Sequence, residues 1–218
     1  MSPEMTDSVR RRVRLIILID AAENAGLKPI AIRRLHTLAY LSNVLAPVWN
    51  MPTLDGRVLK RHGGPFYPAL QRDLDHLVGS GIARISGLSH VHDKDRRWRL
   101  EGSYSLNRLF ANPVLKEVDH FEDERQVVAF IHELALAFSA LSDDELDATS
   151  TEDATYSNPI IDFGEVVDFG EWKTENPSAE TANRFGGLIP SGATALPGEK
   201  LHLYIRHLYA RMHDKRPA

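Results

Sequence analysis

Cysteine is absent from this chain of 218 residues. Its absence excludes disulfides, thiolate nucleophiles and the cysteine-based zinc and iron–sulfur sites together. Long apolar runs are lacking too. The most apolar stretch, residues 15–19, is far too short to span a bilayer, and no signal-peptide cleavage pattern follows it. These absences predict a cytoplasmic protein that makes no contact with a membrane.

The short motifs of catalysis are also missing. Neither Gly63-Gly64-Pro65 nor Gly186-Gly187 has the spacing of a phosphate-binding P-loop, and no serine lies in a nucleophile elbow. We therefore predict no enzyme activity, no catalytic residue and no cofactor. One alternative is a hydrolase hidden in the loops 142–197, where carboxylates such as that of Asp153 are available for acid–base work.

Charge is present in quantity but is divided unevenly along the chain. Residues 1–110 carry 17 Lys and Arg against 10 Asp and Glu, a net charge of +7, whereas residues 111–218 carry 9 against 20, a net charge of −11, and together they give −4. Such a split favours two units with different surfaces, 1–110 and 111–218, the first tolerant of anionic partners. Alternatively, the two halves neutralise each other within one fold.

Three helices are predicted in the basic half. They begin at Asp7 or Ser8, at Pro29 and near Pro68, and they end near Gly26, Leu45 and Gly79. Apolar residues at helical spacing predict the buried faces: Val9, Val13, Ile16 and Ile17 in the first helix, Ala31, Leu35, Leu38 and Leu45 in the second, and Leu70, Leu74, Leu77 and Val78 in the third.

A β-hairpin is predicted to follow the third helix. Its strands are residues 82–85 and 97–100, with Trp98 and Leu100 on one face and a polar turn at 92–95 between them. Three helices followed by a hairpin is the order of elements in a winged helix, the helix-turn-helix variant with a β wing. We predict an α+β, mostly helical protein with a winged-helix domain over 1–110.

The acidic half, 111–218, is predicted to be a mainly helical, loop-rich extension. A strong helix spans 121–141, with Val127, Phe130, Ile131, Leu134 and Phe138 at helical spacing. The acidic run from Ser142 lacks the ligand spacing of a calcium loop and is interpreted as a helix start or an acidic linker. A last helix spans 198–212.

Basic residues of the first half are candidates for binding nucleic acid. They lie before the third helix, on it and in the hairpin: Arg57, Lys60, Arg61, Arg72, Lys94, Arg96, Arg97 and Arg99. In a winged helix they would converge on duplex DNA. Asp73 and Asp75 beside Arg72 argue against a base-reading helix, so contact with DNA, contact with a protein and a plain solvated surface all stay open.

A second set of candidates concerns a protein partner. Arg10, Arg11, Arg12 and Arg14 oppose the dipole of the first helix, so an acidic group is expected to compensate them: the protein's own acidic half, a partner or a phosphate backbone. The candidates for partner binding are Arg10, Arg11 and Arg14 together with Leu201, Tyr204 and Leu208 of the last helix.

Two histidines could contribute to a metal site, but the sequence does not predict one. His90 and His92 alternate on one side of a predicted strand, which would suit two ligands. Zinc needs a third or fourth ligand, and although His62 or His76 could approach, the sequence places neither.

Several pieces of the chain resemble the middle component of bacterial ABC three-component systems. They lie in the stretch 35–85, with Leu38-Ala39-Tyr40-Leu41, Gly64-Pro65-Phe66 and the ending Leu74…Leu77…Gly79…Gly81-Ile82, and in the later pieces 133–137 (Glu-Leu-Ala-Leu-Ala) and 153–156 (Asp-Ala-Thr-Tyr). Members of that class are encoded with an SMC-like or Rad50-like ATPase and a separate effector. The resemblance implies an adaptor and no catalytic residue.

These observations lead to one functional hypothesis and one rival. We expect a non-enzymatic winged-helix adaptor that assembles with an SMC/ABC-type ATPase in a bacterial anti-phage or anti-plasmid defence complex, using its acidic half and last helix for docking. Double-stranded DNA and a second copy of the chain are secondary candidates as partners. The rival is a dimeric transcription regulator that binds duplex DNA through the third helix and the wing.

Overall fold

The computed structural model describes residues 3–51, 57–61, 64–92, 98–157, 162–168, 176–188 and 195–214. The protein is α+β and mostly helical, as predicted. Its helices are α1 (Pro3–Asn24), α2 (Ile32–Leu45), α3 (Pro68–Gly79), α4 (Arg108–Val118), α5 (Glu122–Ser139), α6 (Asp143–Glu152), α7 (Pro177–Phe185) and α8 (Pro197–Asp214). Its strands are β1 (Ile30–Ala31), β2 (Arg57–Leu59), β3 (Ala83–His92), β4 (Trp98–Leu106) and β5 (Val166–Asp168).

The described strands form two small antiparallel sheets. In the first, β4 lies between β1 and β3, so that Tyr104 is opposite both Ile30 and Ile85. The β3–β4 pair is the predicted hairpin, and both of its strands are longer than the sequence pattern indicated. The second sheet pairs β2 with β5 and was not predicted from the sequence.

Helix α1 differs from its prediction in its start and in how much of it is buried. It begins at Pro3 rather than near Asp7 or Ser8, and it ends just before Gly26, whose φ of 88° confirms the left-handed stop. Residues 15–22 are buried on every side because α3, α5 and β4 all pack against α1. The expected single stripe was therefore too narrow, and Val9, one of its members, is exposed.

Helix α2 begins later than predicted. The Lys28–Pro29 peptide bond is cis, and Ile30 and Ala31 form β1 before the helix starts at Ile32. Ala31 is therefore a strand residue rather than part of the helical seam, because its backbone pairs with β4. The end at Leu45 is confirmed, since Pro47 lies in the short 3₁₀ helix Ala46–Trp49 that follows.

Helix α3 and most of the second half follow their predictions. Leu70, Leu74 and Leu77 of α3 are buried, and the five apolar residues predicted for α5 are buried as well. The acidic run at Ser142 is a helix start: the Ser142 side chain and the Glu145 side chain cap each other's backbone N–H groups at the start of α6. Helices α4 and α7 were not predicted.

The hydrophobic core is continuous across the predicted boundary at residue 110. Buried residues from α1, α2 and α3 belong to the same cluster as those from α5 and α8. Ion pairs also cross the boundary, from Arg14 to Glu124 and from Arg34 to Asp143 and Asp147. The oppositely charged halves therefore neutralise each other at these contacts, while the division into two units stays a prediction.

Among the described residues, no single helix has both the length and the apolar character to cross a bilayer. Helices α5 and α6 meet those two criteria only when taken as a pair, with a bend of 117° between them.

Candidate functional site

The β3–β4 hairpin presents an exposed apolar face. Trp98 and Leu100 lie on one side of β4, as predicted, and their exposed fractions are 70% and 58%. Leu88, which is 54% exposed, comes from β3 and shares this side, because a Cβ added at Gly102 of β4 would meet both Ile85 and Leu88 within 3.3 Å. We call Leu88, Trp98 and Leu100 the hairpin face.

A groove of about 410 Å³ lies at the base of this face. The first turn of α2, the segment before α3, α3 itself and both strands of the hairpin line it. The larger apolar side chains that line it are Ile32, Phe66, Ile85, Leu88, Leu100 and Tyr104. Its volume falls in the range of ligand pockets, and the hairpin face continues from it along β4.

Polar side chains surround the apolar floor of the groove. Three arginines, Arg33, Arg61 and Arg99, line it together with the carboxylates of Asp75 and Glu101. Arg33 forms an ion pair with Glu101, and the Arg61 guanidinium carbon lies 3.8 Å from the centroid of the Phe66 ring. Among the described residues that line the groove, the arginines outnumber the carboxylates by three to two.

His36 forms part of the groove and is held neutral. Burial lowers its pKa from 6.5 to about 4. Its Nδ1 accepts a hydrogen bond of 3.2 Å from the backbone N–H of Tyr67, which places the ring proton on Nε2, 3.5 Å from the Gln71 side-chain oxygen. Among the lining residues that the structure describes, the arginines and carboxylates therefore supply the charge near neutral pH.

The described residues among those predicted to bind nucleic acid lie in different surroundings. Arg72 is exposed on α3 and Arg99 is half-buried on β4 beside the groove. The prediction that Lys60 binds nucleic acid was wrong, because this residue is buried. It is 4% exposed, and its amine lies 5.7 Å and 5.2 Å from the ring centroids of Tyr156 and Phe163. Burial also lowers the pKa of Lys60. The side chain packs in the interior and is not on a surface that a phosphate could contact.

Three of the predicted nucleic-acid residues, Lys94, Arg96 and Arg97, come between β3 and β4 in the sequence and lie outside the described residues. The backbone of Arg57 is in β2, but its side chain is also outside the description.

Three arginines of α1 form ion pairs with carboxylates of the same chain. Arg11 and Arg12 lie 2.7 Å and 3.3 Å from the carboxylate of Asp73 on α3, and Arg14 lies 3.5 Å from Glu124 on α5. Of the predicted partner-binding arginines, Arg10 is exposed. The compensation expected for this basic cluster thus comes from both halves of the chain.

The apolar residues predicted to bind a partner through α8 are in the core. Leu201, Tyr204 and Leu208 have no exposed surface, because this face of α8 packs against α5, α6 and α7. The prediction that they form a docking surface was wrong. Helical spacing identified the apolar face of α8 correctly but does not distinguish a face that is buried within the chain from one that is covered by a partner.

The alternative active-site residue Asp153 is also buried. Its Oδ1 accepts hydrogen bonds from the Tyr40 hydroxyl and from two backbone N–H groups, and its Oδ2 accepts from the hydroxyls of Ser178 and Tyr204. Five donors occupy the carboxylate, which has no exposed surface. This arrangement joins structural elements and leaves Asp153 no face toward a substrate.

His90 and His92, the two histidines that could act as metal ligands, lie on β3. His92 packs edge-on against Trp98, with ring centroids 5.2 Å apart, and His90 lies opposite Leu100. Among the residues that the structure describes, no group of three His, Asp or Glu side chains is arranged to hold a metal ion.

Leu88 and the groove were not predicted from the sequence. The first hairpin strand was predicted to end at Ile85, before Gly87. In the structure Gly87 has a φ of 62° within an irregularity between Ser86 and Ser89, and the strand resumes beyond it. The alternating His90 and His92 were the signal that pairing continued to residue 92.

Comparisons with protein-family models, with curated proteins and with solved structures gave no match for this chain.

Proposed function

We propose that residues 1–110 form a winged-helix domain and that the protein is a non-enzymatic adaptor. The order of elements supports the domain: α1, β1, α2 and α3 precede a hairpin, and β1 pairs with the second strand of that hairpin. In this assignment α3 is the third helix of the domain and β3–β4 is the wing.

The hairpin face is the observation that carries the adaptor role. A wing that follows DNA phosphates needs cations on its contact face, whereas the described part of this one exposes Leu88, Trp98 and Leu100. Exposed apolar patches mark protein–protein sites, and tryptophan is enriched among the residues that dominate binding energy. A protein partner therefore fits this surface better than a duplex does.

The proposed partner is the SMC-like or Rad50-like ATPase that the resemblance to middle components implies. In this proposal the adaptor and the ATPase assemble in the bacterial cytoplasm as part of an anti-phage or anti-plasmid complex. The proposed docking surface is the hairpin face, because the apolar face of α8 lies in the core.

Co-expression with the ATPase encoded by a neighbouring gene tests the proposal. We expect the two proteins to co-elute, and Trp98→Ala and Leu100→Ser to weaken their affinity at least tenfold. Leu109→Ser is the matched control, because Leu109 is 75% exposed and belongs to α4 rather than to the hairpin. Failure of the wild-type proteins to co-elute, or equal effects of Leu100→Ser and Leu109→Ser, would overturn the proposal.

The second candidate is the DNA-binding regulator, which the exposure of Arg72 on α3 favours. It requires nanomolar binding to a pseudopalindromic duplex with a steep dependence on salt. Arg72→Ala would then weaken binding, and a lost phosphate contact would reduce the salt slope by about one. Fluorescence anisotropy with a labelled duplex at several salt concentrations separates this candidate from the adaptor.

A further inference from the structure

Tyr104 of β4 brings a hydrogen-bond donor to the wall of the groove. The residue is 4% exposed and belongs to the groove lining. Burial raises the pKa of Tyr104, and a hydrogen bond from the Gln71 side chain to its oxygen opposes that effect. The O–H of Tyr104 itself donates to no acceptor among the residues that the structure describes. Because an unpaired buried donor is costly, an acceptor bound in the groove would be stabilised by this hydroxyl.

Gln71 of α3 has one hydrogen-bonding position left beside that hydroxyl. Its side-chain nitrogen donates to the Asp75 carboxylate at 3.0 Å and to Tyr104, which uses both amide hydrogens. Its oxygen lies 3.5 Å from His36 Nε2, and an amide oxygen has a second lone pair for another donor. Tyr104 and Gln71 together therefore offer one donor and one acceptor side by side.

The rest of the groove is largely apolar and has room for a small molecule. Phe66, Ile85, Leu88 and Leu100 line a cavity of about 410 Å³. Ligand pockets combine such apolar walls with a few placed polar groups, which fix the orientation of the ligand. The hydroxyl of Tyr104 and the amide oxygen of Gln71 are polar groups of this kind.

The charged groups around the groove already have partners within the protein. Arg33 forms an ion pair with Glu101, and Arg61 and Arg99 each interact with other groups of the chain. The carboxylate of Asp75 accepts a hydrogen bond from the α3 side chain described above. A charged ligand would lose its water here without gaining a free counter-ion, a cost that an uncharged ligand avoids.

We propose that the groove binds a small uncharged molecule that has an apolar ring body and a cyclic amide edge. The carbonyl of the ligand accepts a hydrogen bond from the Tyr104 hydroxyl, and its neighbouring N–H donates to the Gln71 oxygen. Its rings lie against Phe66, Ile85 and Leu100. The inference goes beyond the adaptor role and does not depend on it, since it needs only the groove and no partner protein.

Isothermal titration calorimetry of the full-length protein with three bicyclic probes tests the class of ligand. Carbostyril carries the cyclic amide edge, N-methylcarbostyril lacks its N–H, and β-naphthoate is an anion of the same ring size. We expect carbostyril to bind with a dissociation constant below about 1 mM, N-methylcarbostyril to bind at least threefold more weakly and β-naphthoate at least tenfold more weakly. The absence of saturable carbostyril binding overturns the inference, and so does an equal affinity for either of the other probes.

Tyr104→Phe tests the proposed donor, because it removes the hydroxyl and keeps the ring. We expect the affinity for carbostyril to fall at least fivefold in a variant that thermal unfolding shows to be folded. Tyr209→Phe makes the same change on α8, where Tyr209 is 45% exposed, and should leave the affinity unchanged. Equal carbostyril affinities in Tyr104→Phe and the wild type would overturn the inference.

A thiol at the edge of the groove locates the site without altering its polar groups. The chain has no cysteine, so Leu88→Cys provides a single thiol, at a position that is 54% exposed, for modification by N-benzylmaleimide. Unmodified Leu88→Cys should bind carbostyril like the wild type, and its benzyl adduct at least tenfold more weakly because the adduct occupies the groove. The same adduct of Leu109→Cys, on α4, is the control and should bind unchanged. Carbostyril binding that survives the adduct of Leu88→Cys would place the probe elsewhere and overturn the inference.

Discussion

The hydroxyl of Tyr40 on α2 donates a hydrogen bond of 2.5 Å to the carboxylate of Asp153, which lies 113 positions further along the chain. The same carboxylate accepts a hydrogen bond of 2.6 Å from Tyr204 on α8. Burial and the adjacent carboxylate raise the pKa of both tyrosines, so each phenol stays a donor. One buried side chain thereby connects the first half of the chain to the last helix.

Asp153→Ala is expected to destabilise the fold. It would leave the hydroxyls of Tyr40, Ser178 and Tyr204 and two backbone N–H groups buried without their acceptor. Because each buried unsatisfied polar group costs about 1–3 kcal/mol, the free energy of unfolding should fall by about 3 kcal/mol or more. Urea denaturation followed by circular dichroism measures the change.

Asp144→Ala is the control for this substitution, since Asp144 is exposed in the first turn of α6. Its effect should stay within about 0.5 kcal/mol. An Asp153→Ala protein as stable as the wild type would show that the buried network contributes nothing. A loss of turnover at unchanged stability would revive the hydrolase alternative.

Asp153 also shows what the sequence alone could and could not predict. Asp153 lies in a stretch of the sequence that is rich in turn-forming residues, so a loop was predicted there. The side chains that donate to its carboxylate lie on α2, α7 and α8 and are distant in sequence, so the local pattern does not predict that they meet. Periodicity reports which face of a helix is apolar and finds α3, α5 and α8 with their buried residues. It does not report which element covers that face, and the same limit explains the wrong assignment of Leu201, Tyr204 and Leu208.

The short elements were missed for a related reason. Strands β1, β2 and β5 have two or three residues each, too few to show an alternation, and they exist because backbone groups of distant segments pair. The groove has the same origin: Phe66 and Ile85 belong to separate elements, and only the packing of α3 against the hairpin brings them together. Within the candidate site, the sequence predicted Trp98 and Leu100 on one face but not the cavity beside them.

Because His36 is buried, we expect the folded protein to lose stability in acid. In the unfolded chain its ring takes up a proton near pH 6.5, whereas in the folded protein burial holds its pKa at about 4. The unfolded state therefore binds more protons between these values. The stability from this residue is present above about pH 6.5 and is lost as the pH falls toward 4, by about 3 kcal/mol in total.

His36→Gln should remove this contribution. Free energies of unfolding measured from pH 7 to pH 4 are expected to fall less steeply in this variant than in the wild type, by up to about 1.4 kcal/mol per pH unit. His120→Gln is the matched control, because His120 is exposed at the end of α4 and its loss should leave the slope unchanged. The same slope in all three proteins would contradict the assignment of a neutral, buried His36.

Leu201→Ala tests the place of α8 in the core. Leu201 is fully buried, so the substitution should cost about 2–5 kcal/mol through lost packing and the cavity that remains. Leu136→Ala makes the same chemical change at a helical position that is 53% exposed, and it should cost less than about 0.5 kcal/mol. The free energies of unfolding are measured in urea. Similar losses for the two variants would show that this face of α8 is exposed, as its use as a docking surface requires.

Arg14 and Glu124 form an ion pair between α1 and α5. Removing its buried cation should cost less stability than removing the carboxylate that compensates this cation. The Nη1 atom of Arg14 is buried and has no hydrogen-bond acceptor among the residues that the structure describes, and Nη2 lies 3.5 Å from the Glu124 carboxylate. Burial lowers the pKa of Arg14, with Glu124 opposing that effect. Glu124→Gln leaves the buried cation uncompensated and should reduce the free energy of unfolding by about 1–2 kcal/mol.

Arg14→Met, in contrast, keeps the length of the apolar stem and removes the charge, so the protein should be as stable as the wild type or more stable. In the double variant the cost of Glu124→Gln should disappear, because no cation remains for it to isolate. Arg125→Gln, which removes an exposed cation paired with Glu122, is the control and should change stability by less than about 0.5 kcal/mol. If Arg14→Met costs as much as Glu124→Gln, the pair is a net source of stability, and the Arg14 charge is part of what holds α1 against α5.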